Sequence, residues 1–199
     1  MKPMSRLLIA LSLLLLPLAF ASLPARAQFS DSYNFIKAVR EADAAKAKSL
    51  AEQPGSTIVN ARDLDTGDLA LHIVVKRRDY PWINFLVGMG ANVEGRDKAG
   101  NTPLLLAADL GFADGVRTLL AQGAKVNATN PSGETALIKA VQRRDSETVQ
   151  VLLENGANPD QADNIVGYSA RDYAARDRRA SSILRLIEEA KAPAKTGPK

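Results

Sequence analysis

Two short runs of helical spacing lie side by side in the middle of the chain. Leu104, Ala107 and Ala108 share one helical face, and beyond Gly111 the residues Val116, Leu119 and Leu120 share another. Thr102 is a capping residue and Pro103 fits the first helical position, where a missing N–H costs nothing. Gly111 and Gly123 end the two runs as C-caps do. The pattern predicts a helix from Pro103 and a second over about 113–122, antiparallel to it. The first face is narrow, and its alanines permit close approach of a neighbouring helix. The stretch "AKVNATN" then leads outward to the next turn.

The same pattern recurs along the chain. Gly67, Gly100 and Gly133 are spaced by 33 residues, as are Gly90, Gly123 and Gly156. The apolar pairs Leu86-Val87, Leu119-Leu120 and Leu152-Leu153 keep the same phase. A fixed period of this size signals stacked units that cannot bury their own apolar faces alone. Three complete copies are expected, at 64–96, 97–129 and 130–162. A helix pair within 28–63, "YNFIKAVREADAAKAKSLAEQ" closed by Pro54-Gly55, is expected to cap one end. A more polar pair within 163–192 is expected at the other. There the glycine step lengthens to 34, from Gly133 to Gly167, which places one inserted residue in "ADNIVG". The tail 193–199 is basic and is expected to be disordered.

Each copy also carries a diluted hexapeptide: "LALHIV" at 69–74, "TPLLLA" at 102–107 and "TALIKA" at 135–140. With the period, these resemble the ankyrin repeat, whose hallmark is T-P-L-H-x-A, over residues 33 to 190. The resemblance implies an all-α solenoid of antiparallel helix pairs with protruding hairpin-like turns. It implies a non-enzymatic module without cofactor or metal, binding a protein through a concave groove lined by first-helix ends and turn tips. On that basis the candidate contacts are Lys76, Arg77, Asp109, Leu110, Gln142, Arg143 and Arg176, with Asp68, Lys98, Asn101 and Glu134 at the turns. "VVKRRDY" and "AVQRRDS" lie two periods apart and make a partly basic row, suited to an acidic or mixed-charge partner; a solvated rim is the plainer explanation of the same row. Chaperone-like protection or activation of an exported enzyme would need the same surface.

Departures from the pattern carry expectations of their own. Unit 64–96 has Leu69 where a capping Thr belongs and Ala70 in place of Pro, so it is expected to be the loosest. Arg78, Arg144 and Arg178 stand where Gly111 ends its helix, and each must adopt or avoid a left-handed conformation.

The N-terminal stretch reads as something other than fold. Lys2 and Arg6 precede an apolar run from Leu7 to Leu18, and Ala25-Arg26-Ala27 matches a cleavage site. This is the layout of a secretory signal peptide, 1–27, with a cut after Ala21 as the alternative. The run is short for a membrane anchor. A periplasmic or secreted location follows as an expectation, with no membrane span after cleavage. The segment holds three basic residues and no acidic one, so its loss takes 26 basic residues to 23 against 22 acidic. The net charge near +1 that remains, together with export, argues against nucleic acid as a ligand.

Candidate chemistry is sparse. The chain has no Cys, which excludes disulfides and a lipid-modified Cys, and a single His, His72. That removes the usual zinc sets and leaves any nucleophile–base pair dependent on His72. His72 falls on the hallmark His, a structural hydrogen-bonding residue in the family that the chain resembles. Asp63, Asp65 and Asp68 crowd one turn but do not complete a calcium loop, and turn formation explains them. Trp82, Ile83, Phe85 and Leu86 cannot all share one helix face, so core packing competes with an exposed contact role for Trp82.

Overall fold

The computed structural model describes residues 25–53 and 56–190. The expected signal segment up to residue 24, the Pro54-Gly55 break and the tail from 191 lie outside the described residues. Helices pair in sequence: α1 (Ala25–Arg40) with α2 (Ala44–Ala51), α3 (Ala70–Lys76) with α4 (Tyr80–Gly88), and α5 (Pro103–Asp109) with α6 (Ala113–Ala121). They continue as α7 (Ala136–Arg143) with α8 (Ser146–Glu154) and α9 (Ala170–Arg176) with α10 (Ser181–Glu189). Helix α1 begins upstream of the expected cut after Ala27. A short 3₁₀ turn at Ile58–Asn60 precedes the first full unit, and another at Arg178–Ala180 links α9 to α10.

First helices pack on first helices in the order α1, α3, α5, α7, α9, and second helices on second helices in the order α4, α6, α8, α10. No strands occur among the described residues; isolated antiparallel bridges at Arg62–Leu69, Thr129–Thr135 and Ala162–Ser169 give the turns their hairpin form. The core consists of equivalent residues repeated down the stack. Phe35, Leu71, Leu104 and Leu137 are fully or almost fully buried, one per first helix. Burying each such side chain contributes roughly 1.5–3 kcal/mol. Ala38, Val74, Ala107, Ala140 and Ala174 form a second buried line, where small side chains set the helices close. Ile83, Val116, Val149 and Ile183 do the same for the second helices.

The last unit departs where its outer side meets water. The slot filled by Leu137 is taken by Arg171, whose guanidinium holds Asp160 at 2.7 Å. Its α9 is closed by a full capping box between Ser169 and Asp172. A polar residue in a core slot and a strong cap are what the end of a stack requires.

Hydrogen bonds between units repeat as well. The Asn60 side chain accepts from the Asn92 N–H at 2.7 Å, Glu94 accepts from Lys125 N–H, and Asn127 accepts from Asn158 N–H. Arg62 donates to the Gly67 and Arg96 carbonyls, and Arg96 donates to those of Gly100 and Thr129. Each unit thereby satisfies loop carbonyls of the next. At the turns the chains approach closely: Gly100 has φ +82°, and a Cβ there would meet the Pro131 ring at 2.5 Å.

The arginines at the first-helix ends divide. Arg78 and Arg144 adopt the left-handed conformation, with φ 58° and 59°. Arg178 does not: it opens the 3₁₀ turn that links α9 to α10. Ala42, at φ 58°, occupies the matching place in the first unit. Offsetting the strain, Arg78 donates to the Leu110 and Gly111 carbonyls of the next unit, and Arg144 pairs with Asp177.

Caps differ in the expected way. Thr102 and Thr135 accept from the N–H groups of Leu105 and Ile138, at 3.3 and 3.2 Å, whereas Leu69 supplies no side-chain cap. Loss of such a cap costs about 1 kcal/mol, close to a fivefold change in local opening. Hydrogen exchange should therefore find the amides of 70–87 exchanging severalfold faster than those of 103–120. Equal protection of the two segments contradicts this.

Candidate functional site

One exposed residue per first helix lies at the same register: Arg40, Lys76, Asp109, Gln142 and Arg176. Three residues earlier on each of the last four helices, Ile73, Leu106, Lys139 and Tyr173 are partly exposed. These two lines share a face, because i and i+3 are neighbours on a helix. Behind them stand the turn residues Asp68, Asn101, Glu134 and Tyr168.

Side-chain bonds tie the face to the turns. Lys76 Nζ pairs with the buried Asp68 at 2.6 Å, and Lys139 with Glu134 at 2.8 Å. Asn130 donates to Glu134 and to the Asn101 side chain. Burial pushes the Glu134 carboxyl up, but Lys139 and Asn130 outweigh it and hold it below its ordinary value. The Arg176 guanidinium lies over the Tyr168 ring, 4.1 Å from its centre. Tyr173 donates to Asp163 at 2.7 Å, which pushes the phenol up to about 12 and lowers the carboxyl. Arg40 pairs with the buried Asp63. Asp109 alone in the row is exposed with no side-chain partner among the described residues.

The sequence-derived candidates separate on this geometry. Lys76, Asp109, Gln142 and Arg176 form the row, and Arg143 is exposed at its edge beside Gly111. Lys98 is exposed on a turn tip. Arg77 turns back onto the preceding unit, donating to the Val39 carbonyl at 2.6 Å and to Asp79, with its guanidinium 5.3 Å over Trp82. Trp82 is in turn half-buried, edge-on to Phe85 at 4.9 Å. Leu110 is half-buried, and its carbonyl is occupied by Arg78. Asp68 is buried beneath Lys76, while Asn101 and Glu134 are half-buried supports. Arg40 was hidden from the sequence reading because its step to Lys76 is 36, not 33. Tyr173 and Lys139 were legible by period but carried no charge ladder to flag them.

His72 sits fully buried in the slot that Leu105 and Ile138 fill elsewhere, with its Nε2 3.0 Å from the Asn101 carbonyl. That is the structural bond expected for it. Its Nδ1 has no partner among the described residues, and Leu69 offers no hydroxyl where a Thr would. Asp63 Oδ1 accepts the N–H groups of Asp65 and Thr66, the turn role expected of it. Among the described residues no group of three or more His, Asp or Glu could hold a metal ion, and no helix is long and apolar enough to cross a membrane.

Comparison with family models decides the resemblance. A model of three ankyrin-repeat copies matches residues 35–130, and one of many copies matches 119–174. The chain belongs to the ankyrin-repeat family. A search of curated proteins finds no match. Ankyrin repeats are generally protein–protein interaction modules and typically non-enzymatic, so the exposed row on the first helices and the turns of this ankyrin array are the surfaces to consider.

Burial lowers the His72 pKa from its ordinary 6.5. A depressed folded-state value means that its contribution to stability is present above pH 6.5 and is lost as pH falls through the folded value. With one His in the chain, urea unfolding should show stability declining from pH 7.5 to 5.5, and His72→Leu should flatten that decline. An identical slope in both proteins contradicts the assignment.

Proposed function

We propose that this ankyrin array is a periplasmic or secreted module that binds a partner protein across the face formed by its first helices and turns. The observation that carries the reading is the row Arg40, Lys76, Asp109, Gln142 and Arg176, displayed at one register on helices locked to one another. Preorganisation of this kind reduces the ordering cost of binding. Arg40, Lys76 and Arg176 are each held or stacked by a neighbour, whereas Asp109 keeps an unneutralised carboxylate between Lys76 and Gln142. A partner of mixed charge is the complement, with an acidic group meeting Arg176 or Arg143 and a basic group meeting Asp109. The apolar edges of Ile73 and Leu106 between them provide contact area. The leader-like N-terminus supports export, and a near-neutral chain after its removal supports a protein rather than a nucleic acid as ligand. Lys98 adds a turn-tip contact, while Asp68, Asn101 and Glu134 act by holding the row in place.

Inverting two charges tests this. Asp109→Lys combined with Arg176→Glu should leave the helical circular dichroism and melting curve nearly unchanged. The same variant should reduce crosslinking to its partner in the native compartment by roughly tenfold or more, as expected when opposed charges meet at an interface. Undiminished capture with intact helicity refutes the assignment of the surface.

A further inference from the structure

The two outer turns are built differently from the two inner ones. The inner turns close over five residues, with the Asp97 N–H on the Asn101 carbonyl and the Asn130 N–H on the Glu134 carbonyl. The outer turns close over six, Asp63 to Asp68 and Asp163 to Tyr168. Both longer tips expose aliphatic side chains. Leu64 is 77% exposed, and Ile165 and Val166 are 69% and 54% exposed. The inner tips carry Lys98-Ala99 and Pro131-Ser132 instead.

Neither outer tip is loosely held. Asp163 Oδ1 accepts the N–H groups of Ile165, Val166 and Gly167, while its other oxygen takes the Tyr173 hydroxyl. Asp63 Oδ1 accepts from Asp65 and Thr66, while its other oxygen takes Arg40. A buried carboxylate organises each tip from within, and large aliphatic side chains are left in water on top. Most exposed aliphatic residues need no explanation. Here they recur in the lengthened turn at each end of the array, one place after Asp63 and two and three places after Asp163, over the same supporting chemistry.

We propose that Leu64 and the Ile165-Val166 pair are matched apolar anchors for one extended segment of a partner protein lying along the row of turns. This rests on the protein-binding reading above and names the partner's chemistry. Three helix-to-helix steps of 8–10 Å separate the anchors by roughly 24–30 Å. An extended chain covers that distance in about 7–9 residues at 3.3 Å each. Along the tips the order is apolar with Asp65, then the exposed Lys98, then neutral, then apolar. The complementary segment has an apolar residue with a basic neighbour, an acidic residue about three further on, and a second apolar residue at the far end. A lipid surface fits less well, because Asp65 beside Leu64 would be carried into the headgroups with it.

A phage-displayed random dodecapeptide library selected on the folded chain tests this. Enriched peptides should carry two apolar residues about 7–9 apart with an acidic residue between them. Their affinity should fall roughly tenfold with Leu64→Ser, and again with Ile165→Ser/Val166→Ser, since each removes a buried aliphatic anchor. These side chains are solvent-exposed, so the melting temperature should stay unchanged and report that the fold is intact. Peptides that survive the serine changes but are lost in Asp109→Lys/Arg176→Glu overturn the anchors and leave the helical face standing. Peptides insensitive to both sets remove both readings. Failure to enrich any peptide, or co-sedimentation with phosphatidylethanolamine–phosphatidylglycerol vesicles that depends on Leu64, also overturns the proposal.

Discussion

No unit of this chain can hide its own apolar side. A pair of helices seven to nine residues long has one face of Leu, Val, Ile and Ala that is sealed only when the next pair stacks on it at the same register. Isolated helices of this length are marginal in water. Stacking is therefore the condition for secondary structure here, and the fixed period is its signature. Small residues at Ala38, Val74, Ala107, Ala140 and Ala174 let first helices approach, and larger ones at Phe35, Leu71, Leu104 and Leu137 fill the space beside them. Because each position repeats, one solution to packing serves the whole array.

Backbone groups extend the same constraint. Loops that leave one unit carry carbonyl and N–H groups with no partner inside it. Arg62, Arg78 and Arg96 reach carbonyls of the following unit, and Asn60 and Asn127 accept from its N–H groups. Arg77 reaches in the opposite direction, to the unit before. A tandem pair of arginines thus clasps both neighbours at once, which accounts for a bulky residue tolerating a left-handed backbone at Arg78. Rigidity obtained in this way is what makes an exposed row of side chains usable as a surface. The groups that hold the array and those that face outward alternate along one short helix end.

Much of this was legible in the sequence because period and glycine phase report stacking directly. The Thr102 cap, the Pro103 start and the face of Leu104, Ala107 and Ala108 were all fixed by local rules. Arg77 carries its charge at a repeat position, yet its side chain folds back onto the Val39 carbonyl. Period gives register along the stack, but a long flexible side chain is free to fold back onto a carbonyl that the sequence does not advertise. The added residue in the first turn also escaped notice, since no complete repeat precedes Gly67 to measure its spacing against. In the last turn the glycine step of 34 revealed it. Arg40 was missed for a related reason, its step of 36 crossing the irregular link around Pro54-Gly55.

The claim that stacking at a 33-residue register creates the fold can be tested by excision. Removing residues 97–129 joins two equivalent surfaces and should yield a shorter helical protein that unfolds cooperatively, at a lower temperature, by circular dichroism. Removing only 97–121 spoils the register and should leave the chain largely unfolded. If the full-period deletion fails to fold, or the out-of-register deletion folds equally well, the account is contradicted.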